Sequence, residues 1–414
     1  MGLAYPRAIF PFGLDSMPSF NPKSFTSVDR LRTISAAHLI SFFSEWNAYF
    51  RQRGLDLETV SADAFPYDQV ANILLQPDAN VPEELIDALF YVHETANPHA
   101  MNELLNKAKA AGIELEYGPT SSESDISIQI WLKQPNLLQR QHAETLAFER
   151  SNFVYFAGSR SGHKSGALLV FSEAMLSPLQ NTLDDWFEQK RRGRNSRVFA
   201  FSRGRKTWFL VRHGMPLRRE GKHQEVGESG IAVYQPLRHD VLIYDGETDE
   251  IGVNAMTKGE RNLYLEAFGE ALFGSKSHFD PSTRYTLDPL RKVGPESMSC
   301  DDIDGLNGVK FIEFGRIWLG KVAETEVRRA DDLYKAYGDK WGERLGGGRL
   351  THATFQFEFE GSRRKRSVTI RPANIAKYDR DSDEEVIETW LKARGFWVHS
   401  DEGDDADSEV LDGA

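Results

Sequence analysis

Between residues 28 and 116 the apolar positions recur at intervals typical of one helix face. In the first segment they are Leu31, Ile34, Leu39, Phe42 and Trp46. Gly54 ends that segment and Gly112 ends the last one. In a middle segment, Pro82 is predicted to open a helix whose first turn carries Glu83 and Glu84. The pattern therefore predicts an N-terminal helical region.

From about residue 125 the period changes to two. Ile126, Ile128, Ile130 and Leu132 alternate with polar residues, which predicts a half-buried strand. Three helices followed by a strand form the outline of a winged helix. They equally fit an ordinary helical lobe that leads into a sheet, and the sequence leaves both open.

Downstream, strand and helix patterns alternate. Strands are predicted at the segments NFVYFAG, GALLVFS, RVFAFS and TWFLVRH, and a hairpin is predicted to turn at Asp245–Gly246. A helix is predicted from the capping box Thr257 and Glu260 to Gly274. Near the C-terminus, a hairpin containing Phe355, Phe357 and Phe359 precedes a helix that starts at a second capping box, Ser382 and Glu385.

These patterns predict an α+β protein with an N-terminal helical lobe, a central mixed α/β domain with hairpins and a C-terminal α+β domain. The predicted ranges are an acidic helical lobe over 1–124, a mixed domain with a basic face over 125–279, a linker or long loop over 280–298, an α+β domain over 299–398 and a disordered acidic tail over 399–414.

The composition excludes several classes of protein. Forty per cent of the 414 residues are apolar and 11% are aromatic, which is typical of a globular protein. The single cysteine, Cys300, forms no internal disulfide and no thiolate zinc site. There is no apolar run long enough for a membrane helix, and Pro6, Arg7 and Pro11 interrupt the N-terminal apolar stretch. We therefore expect a cytoplasmic protein without a membrane partner.

Charge is strongly segregated along the chain, although the net charge is −12. Residues 1–150 carry 11 Lys and Arg against 19 Asp and Glu, and residues 401–412 carry seven acids and no base. Residues 190–222, which we call the basic stretch, carry 12 Lys and Arg against the single acid Glu220. Such segregation indicates distinct partners for distinct parts of the chain.

The basic stretch is the most informative feature of the sequence. Its cations flank two predicted strands of a hairpin and would repel one another unless anions lie among them. Phosphates fill that role, and arginine, which outnumbers lysine by nine to three, suits bidentate phosphate contacts. The predicted nucleic-acid contacts are Arg191, Arg192, Arg194, Arg197, Arg203, Arg205, Lys206, Trp208, Arg212, Arg218, Arg219 and Lys222, together with Arg363, Arg364, Lys365 and Arg366 on the C-terminal hairpin turn.

We accordingly expect a nucleic-acid-binding protein, DNA or RNA, without catalysis of its own and part of a larger assembly, with the acidic lobe contacting a protein partner. The basic stretch can instead pair with acids of the same chain, or with an acidic protein in a scaffold. No cofactor and no metal site is predicted.

The segment LVRHG offers an enzymatic alternative. It resembles the signature of the histidine phosphatases, which implies His213 as the phosphorylated nucleophile and Arg212 as the phosphate clamp. That family has a second histidine followed by glycine, and no later histidine of this chain is followed by glycine. A phosphoryl-transfer or nuclease-type hydrolase using His213 or an unrecognised metal site therefore stays an alternative.

Three further motifs have weaker support. The loop GSRSGHKSG after the first strand has the wrong spacing for a phosphate-binding loop and is predicted to be a polar turn. Asp240, Asp245 and Glu250 do not complete a nuclease centre, since Gly252 stands where that design needs lysine. Asp301 and Asp302 are expected to raise the pKa of Cys300, which disfavours its use as a nucleophile.

Overall fold

The computed structural model describes residues 22–78, 80–119, 121–159, 173–223, 229–320 and 322–398. It confirms the predicted α+β class, with N-terminal helices followed by an 11-stranded sheet and interspersed helices. The chain divides into two compact units, Met1–Ala143 and Glu144–Ala414, here called unit 1 and unit 2. The predicted strand over 166–172, most of the GSRSGHKSG loop and the acidic tail lie outside the described residues.

Unit 1 is helical. Its helices are α1 (Lys23–Thr26), α2 (Val28–Leu31), α3 (Ala36–Ser44), α4 (Asn47–Gln52), α5 (Tyr67–Leu75), α6 (Glu83–Thr95), α7 (Pro98–Ala110), α8 (Glu123–Lys133) and α9 (Pro135–Phe148), the last of which runs into unit 2. Short 3₁₀ turns occupy Leu57–Thr59 and Ala62–Ala64. The predicted helical spacing holds, because Leu31, Leu39 and Phe42 all lie in one apolar core.

The strand predicted at Ile126–Leu132 is wrong, because these residues form helix α8. The alternation of apolar and polar residues does not separate a buried face from an exposed one, because the helix is enclosed around much of its surface. Ser127 and Gln129 are as buried as the isoleucines beside them. Gln129 compensates for its burial by bonding to the backbone N–H and C=O of Glu116, each at 2.7 Å. The strand that the winged-helix interpretation needs at these positions is therefore absent, since they are helical.

Unit 2 contains the sheet. Its strands are β1 (Asn152–Gly158), β2 (Arg197–Arg203), β3 (Lys206–Gly214), β4 (Arg218–His223), β5 (Ser229–Tyr234), β6 (Leu237–Asp245), β7 (Glu250–Asn254), β8 (Phe279–Pro281), β9 (Leu306–Trp318), β10 (Glu324–Arg329), β11 (Arg349–Phe359), β12 (Arg366–Arg371) and β13 (Ile375–Lys377). Its helices are α10 (Glu173–Gln189), α11 (Lys258–Phe273), α12 (Pro289–Lys292), α13 (Leu333–Tyr337), α14 (Trp341–Leu345) and α15 (Glu384–Ala393), with 3₁₀ turns at Gly294–Met298 and Gly338–Lys340.

The main sheet is antiparallel in the order β10-β9-β11-β12-β13-β1-β7-β6-β3-β2, and β8 also pairs with β1. The predicted hairpins β2–β3, β6–β7 and β11–β12 are confirmed by their registers. Strands β4 and β5 form a separate two-stranded sheet, which we call the ribbon. Apolar residues of α10 and α11 pack on one face of the sheet.

The division into a central and a C-terminal domain differs from what the structure contains. Strand β1 pairs with β7 on one side and with β13 on the other, so strands of both predicted domains belong to one sheet. The segment 280–298, predicted to be a linker, contains α12 and the fully buried Tyr285 and Leu290. Its residues therefore belong to the core of unit 2.

The two predicted capping boxes have different outcomes. Thr257 and Glu260 form both reciprocal hydrogen bonds at the start of α11, and Gly274 ends that helix in the left-handed conformation, at a φ of 68°. Ser382 caps nothing, because its hydroxyl donates to the Asp383 carboxylate and α15 begins only at Glu384. The second box is therefore wrong.

Among the described residues no helix has both the length and the apolarity needed to cross a membrane.

Candidate nucleic-acid interface

Five of the cations in the basic stretch are already paired with carboxylates of unit 2. Arg192 meets Glu260 at 2.6 Å, and Arg194 meets Asp185 and Glu188. The remaining pairs are Arg203 with Asp381, Arg205 with Glu247, and Lys206 with Glu384 and Glu388. At these positions carboxylates of the same chain already neutralise the positive charges, so no external polyanion is needed to offset their repulsion.

Lys206 and Trp208 lie in the interior. The pKa of the Lys206 ammonium is raised, because Glu388 and Glu384 outweigh the opposing effect of burial. Trp208 is 0% exposed and packs edge-on against Phe148 and Phe153, with ring centroids 5.0 and 6.1 Å away. The prediction that Trp208 stacks on a base is wrong, and Lys206 is held inside an ion cluster.

Seven other cations of the basic stretch have no carboxylate partner among the described residues, and one of them, Lys190, lies over the Trp186 ring. We call the other six the unpaired basic surface; they are Arg191, Arg197, Arg212, Arg218, Arg219 and Lys222. Arg197 on β2 faces Arg212 on β3 in register, so two like charges oppose each other on one face of the sheet. The buried Nε of Arg212 has no hydrogen-bond partner within the part of the chain that the structure describes. An arrangement of this kind favours an anion from outside.

Three of these cations, Arg218, Arg219 and Lys222, are exposed on the ribbon. Arg218 and Lys222 point to one face and Arg219 to the other, because alternate residues of a strand face opposite sides. Ile231 and Val233 are 51% and 59% exposed on the partner strand. The ribbon thus combines free guanidinium and ammonium groups with exposed apolar side chains.

Local contacts place the ribbon at the same end of the sheet as Arg197 and Arg212. The N–H of Met215 donates to the carbonyl of Pro236 at 2.8 Å and closes the ribbon's base. The Gln235 side chain donates to the carbonyl of Arg191 at 3.0 Å, which brings Arg191 to this base. Arg191, Arg197 and Arg212 therefore lie at the end of the sheet from which the ribbon extends.

A scan against protein-family models gave no match, and a search of the curated proteins gave none either.

The basic turn at residues 363–366 likewise contains both paired and unpaired cations. Lys365 pairs with Glu358 at 2.9 Å, and Arg366 pairs with Asp383 at 2.6 Å. Lys365 and Lys310 together lower the pKa of Glu358 to about 2. Arg363 and Arg364 are exposed, and neither has a carboxylate partner in the part of the chain that the structure describes.

The Arg-His-Gly triplet has a structural explanation. His213 is 0% exposed, stacks on Phe187 at 4.2 Å, and directs Nε2 to Asp240 at 3.1 Å and Nδ1 to the carbonyl of Gly214 at 3.0 Å. Both ring nitrogens thus face oxygen acceptors, and a substrate phosphate has no access to either. Gly214 is required because a Cβ there would lie 2.2 Å from the carbonyl oxygen of Arg192. The geometry opposes His213 as a nucleophile.

His213, Asp240 and Glu260 form a buried group with metal-ligand spacing, their donor atoms lying within 4.8 Å of one another. The carboxylates are already compensated: Asp240 accepts from Arg238 and Tyr264, and Glu260 from Arg192. A divalent cation would add two charges to a group that is already balanced, so these residues do not fit a metal site. Glu250, one of the acids considered for a nuclease centre, is likewise bound by Arg284.

The ionisation of Asp240 makes the stability of unit 2 depend on pH. Burial alone would raise its pKa, but His213, Arg238 and Tyr264 together lower it below the ordinary value. The ionised carboxylate therefore stabilises the folded state near neutral pH, and this contribution is lost as the pH falls below about 4. We expect Asp240→Asn to reduce the free energy of unfolding by about 3 kcal/mol at pH 7.

The difference between wild type and Asp240→Asn should narrow when urea unfolding is repeated below the ordinary pKa of aspartate. An equal difference at both pH values would show that the lost interaction does not depend on ionisation.

The sequence did not single out a second buried ion cluster, which joins the two predicted domains of unit 2. Arg284 lies between the rings of Tyr155 and Trp397, 3.7 Å from each centroid, and pairs with Glu250 at 2.5 Å. Arg380 donates to the Tyr155 hydroxyl at 2.9 Å. Members of this cluster belong to β1, β3, β7, α15 and the segment 280–298, and Arg380 and Trp397 lie just before and just after α15. Perturbed pKa values mark functional sites as well as structural networks, but here every charge has a partner and the cluster is buried.

Cys300 agrees with the expectation for a non-nucleophilic thiol. It is buried, and burial together with Asp301 raises the pKa of its thiol.

Proposed function

We propose that the protein binds nucleic acid through the unpaired basic surface and catalyses no reaction on it. The observation that carries this proposal is that Arg197 and Arg212 lie directly opposite each other on neighbouring strands, next to the ribbon. The cations of the ribbon lack carboxylate partners among the described residues. Phosphate groups would neutralise these charges and release counterions.

The two-stranded form of the ribbon favours double-stranded DNA as the ligand. The major groove of B-form DNA accepts a two-stranded ribbon, whereas the major groove of A-form RNA is too narrow for side chains to reach the bases. In this arrangement exposed Ile231 and Val233, which lie on the same face of the ribbon as Arg219, contact apolar base edges such as thymine methyl groups, and Arg218 and Arg219 contact phosphates at the edges of the groove.

Two further parts of the proposal concern the setting of the protein. We propose that acidic unit 1 contacts a protein partner within a larger assembly, and that the protein acts in the cytoplasm, where nucleic acid and a reducing environment coexist with its single cysteine. These parts rest on charge and composition.

Fluorescence anisotropy with labelled duplex DNA, duplex RNA and single-stranded DNA tests the proposal. We expect duplex DNA to bind tightest, with affinity falling steeply and linearly on a logarithmic salt scale. A shallow slope together with binding to an acidic polypeptide would instead support the scaffold alternative. His213→Ala checks the enzymatic alternative, since a protein that only binds should keep its affinity for DNA if the variant folds.

A further inference from the structure

A cleft of about 200 Å³ opens between the end of β9, the edge strand β10 and the short helices α13 and α14. It is lined by Arg316, Trp318, Arg328, Tyr337 and Arg344, among other residues. None of these residues belongs to the unpaired basic surface. The cleft therefore has to be explained separately from nucleic-acid binding.

Arg316 is the fixed element of the cleft. Its guanidinium donates to the carbonyls of Arg344 at 3.0 Å and Gly346 at 2.7 Å, and to the carboxylate of Glu326 at 2.5 Å. It also lies 4.5 Å from the centre of the Trp318 ring. These contacts attach α14 and the following glycine loop to the sheet, so the walls of the cleft are held in place without a ligand.

The cleft has more positive charge than its acids neutralise. Arg316 and Arg328 share one carboxylate, Glu326, and the two arginines overcome the effect of burial and lower its pKa. Arg344 is exposed and has no carboxylate partner within the described part of the chain. Even with Glu343 counted at the rim, one positive charge is left over.

Aromatic walls adjoin these arginines. Trp318 and Tyr337 are half-buried, and burial raises the pKa of Tyr337, so its hydroxyl stays a hydrogen-bond donor. Guanidinium groups bind phosphate oxygens in bidentate fashion, and an indole ring stacks on a planar base. The volume is smaller than that of a pocket enclosing a whole drug-sized ligand, so a bound molecule would leave part of its surface exposed.

We propose that this cleft binds a nucleoside monophosphate, with the phosphate on Arg328 and Arg344 and the base against Trp318. The phosphate is bound by the two arginines whose guanidiniums are most exposed, while Arg316 positions the wall. The site does not depend on the proposed DNA interface, since it uses none of the same residues.

Calorimetric titration of the full-length protein with AMP, ribose 5-phosphate and adenosine tests this site. We expect AMP to bind at least tenfold more tightly than either fragment, because each fragment lacks one of the two contacts. Arg344→Ala should weaken AMP binding tenfold or more. Two control variants should change the affinity for AMP less than twofold. One is Arg329→Ala, whose side chain lies on the opposite face of β10 from Arg328, and the other is Arg218→Ala/Arg219→Ala in the ribbon.

Trp318→Phe provides an independent readout, because it should remove the change in tryptophan fluorescence that AMP causes. The proposal is overturned if AMP does not bind the wild-type protein, or if Arg344→Ala binds it as tightly as wild type does. Equal affinity for AMP and ribose 5-phosphate would overturn the assignment of the base to Trp318.

Discussion

The Arg218→Ala/Arg219→Ala variant is expected to bind duplex DNA roughly 30-fold more weakly than the wild-type protein, or weaker still, at low salt. Each arginine that contacts a phosphate or a base edge contributes about 1–3 kcal/mol to binding. Both side chains are exposed on the ribbon, and neither has a carboxylate partner in the described residues. Anisotropy titrations of the two proteins against the same labelled duplex measure the difference.

The matched control is Arg194→Ala/Arg205→Ala, which removes the same charge from the same stretch of sequence. These arginines are also accessible, at 43% and 74% exposure of their side chains, but they pair with Asp185, Glu188 and Glu247. We expect the control to bind within about threefold of wild type, since exposed ion pairs contribute little. A loss equal to that of the ribbon variant would mean that overall charge, and not the ribbon, determines binding.

Replacing Arg284 with methionine is expected to have the largest effect on stability, a loss of about 3–5 kcal/mol from the free energy of unfolding of unit 2. The Arg284 side chain is 1% exposed, and its guanidinium lies between Tyr155 and Trp397. Its removal leaves the buried Glu250 without its cation and takes one of the cations away from Glu388. Urea unfolding followed by circular dichroism measures the loss.

Arg329→Met serves as the control for this variant. Arg329 also pairs with a glutamate, Glu313, but its side chain is 77% exposed, so the change should cost less than about 1 kcal/mol. Arg284→Met combined with Glu250→Gln should recover part of the lost stability, because the unpaired buried charge is then absent. If Arg284→Met unfolds at the same urea concentration as wild type, the ion cluster does not stabilise unit 2.

Local patterns predicted much of the secondary structure. The hairpins β2–β3, β6–β7 and β11–β12 and the capping box at Thr257 depend on nearby residues, which is why the sequence indicated them correctly. Helix α8 was mistaken for a strand because its burial depends on neighbours that are distant in sequence. The period of two came from hydrogen-bonded polar residues inside the core.

The candidate site was predictable only in outline. Counting charges located the basic stretch, but no local pattern distinguishes Arg205, which pairs with Glu247, from Arg218, which is left on the ribbon. Pairs such as Arg203 with Asp381 join residues 178 positions apart. Likewise the sequence predicts Arg284 in a linker, because nothing near it in the sequence indicates the buried Glu250 that it binds.

The salt dependence of DNA binding by the ribbon variant tests the central claim most directly. Each phosphate contact contributes about 0.9 to the slope of the logarithm of affinity against the logarithm of salt concentration. If Arg218 and Arg219 each neutralise a phosphate, the slope for Arg218→Ala/Arg219→Ala should be about 1.8 shallower than that for wild type. An unchanged slope would contradict the account, because DNA would then bind without contacting the ribbon.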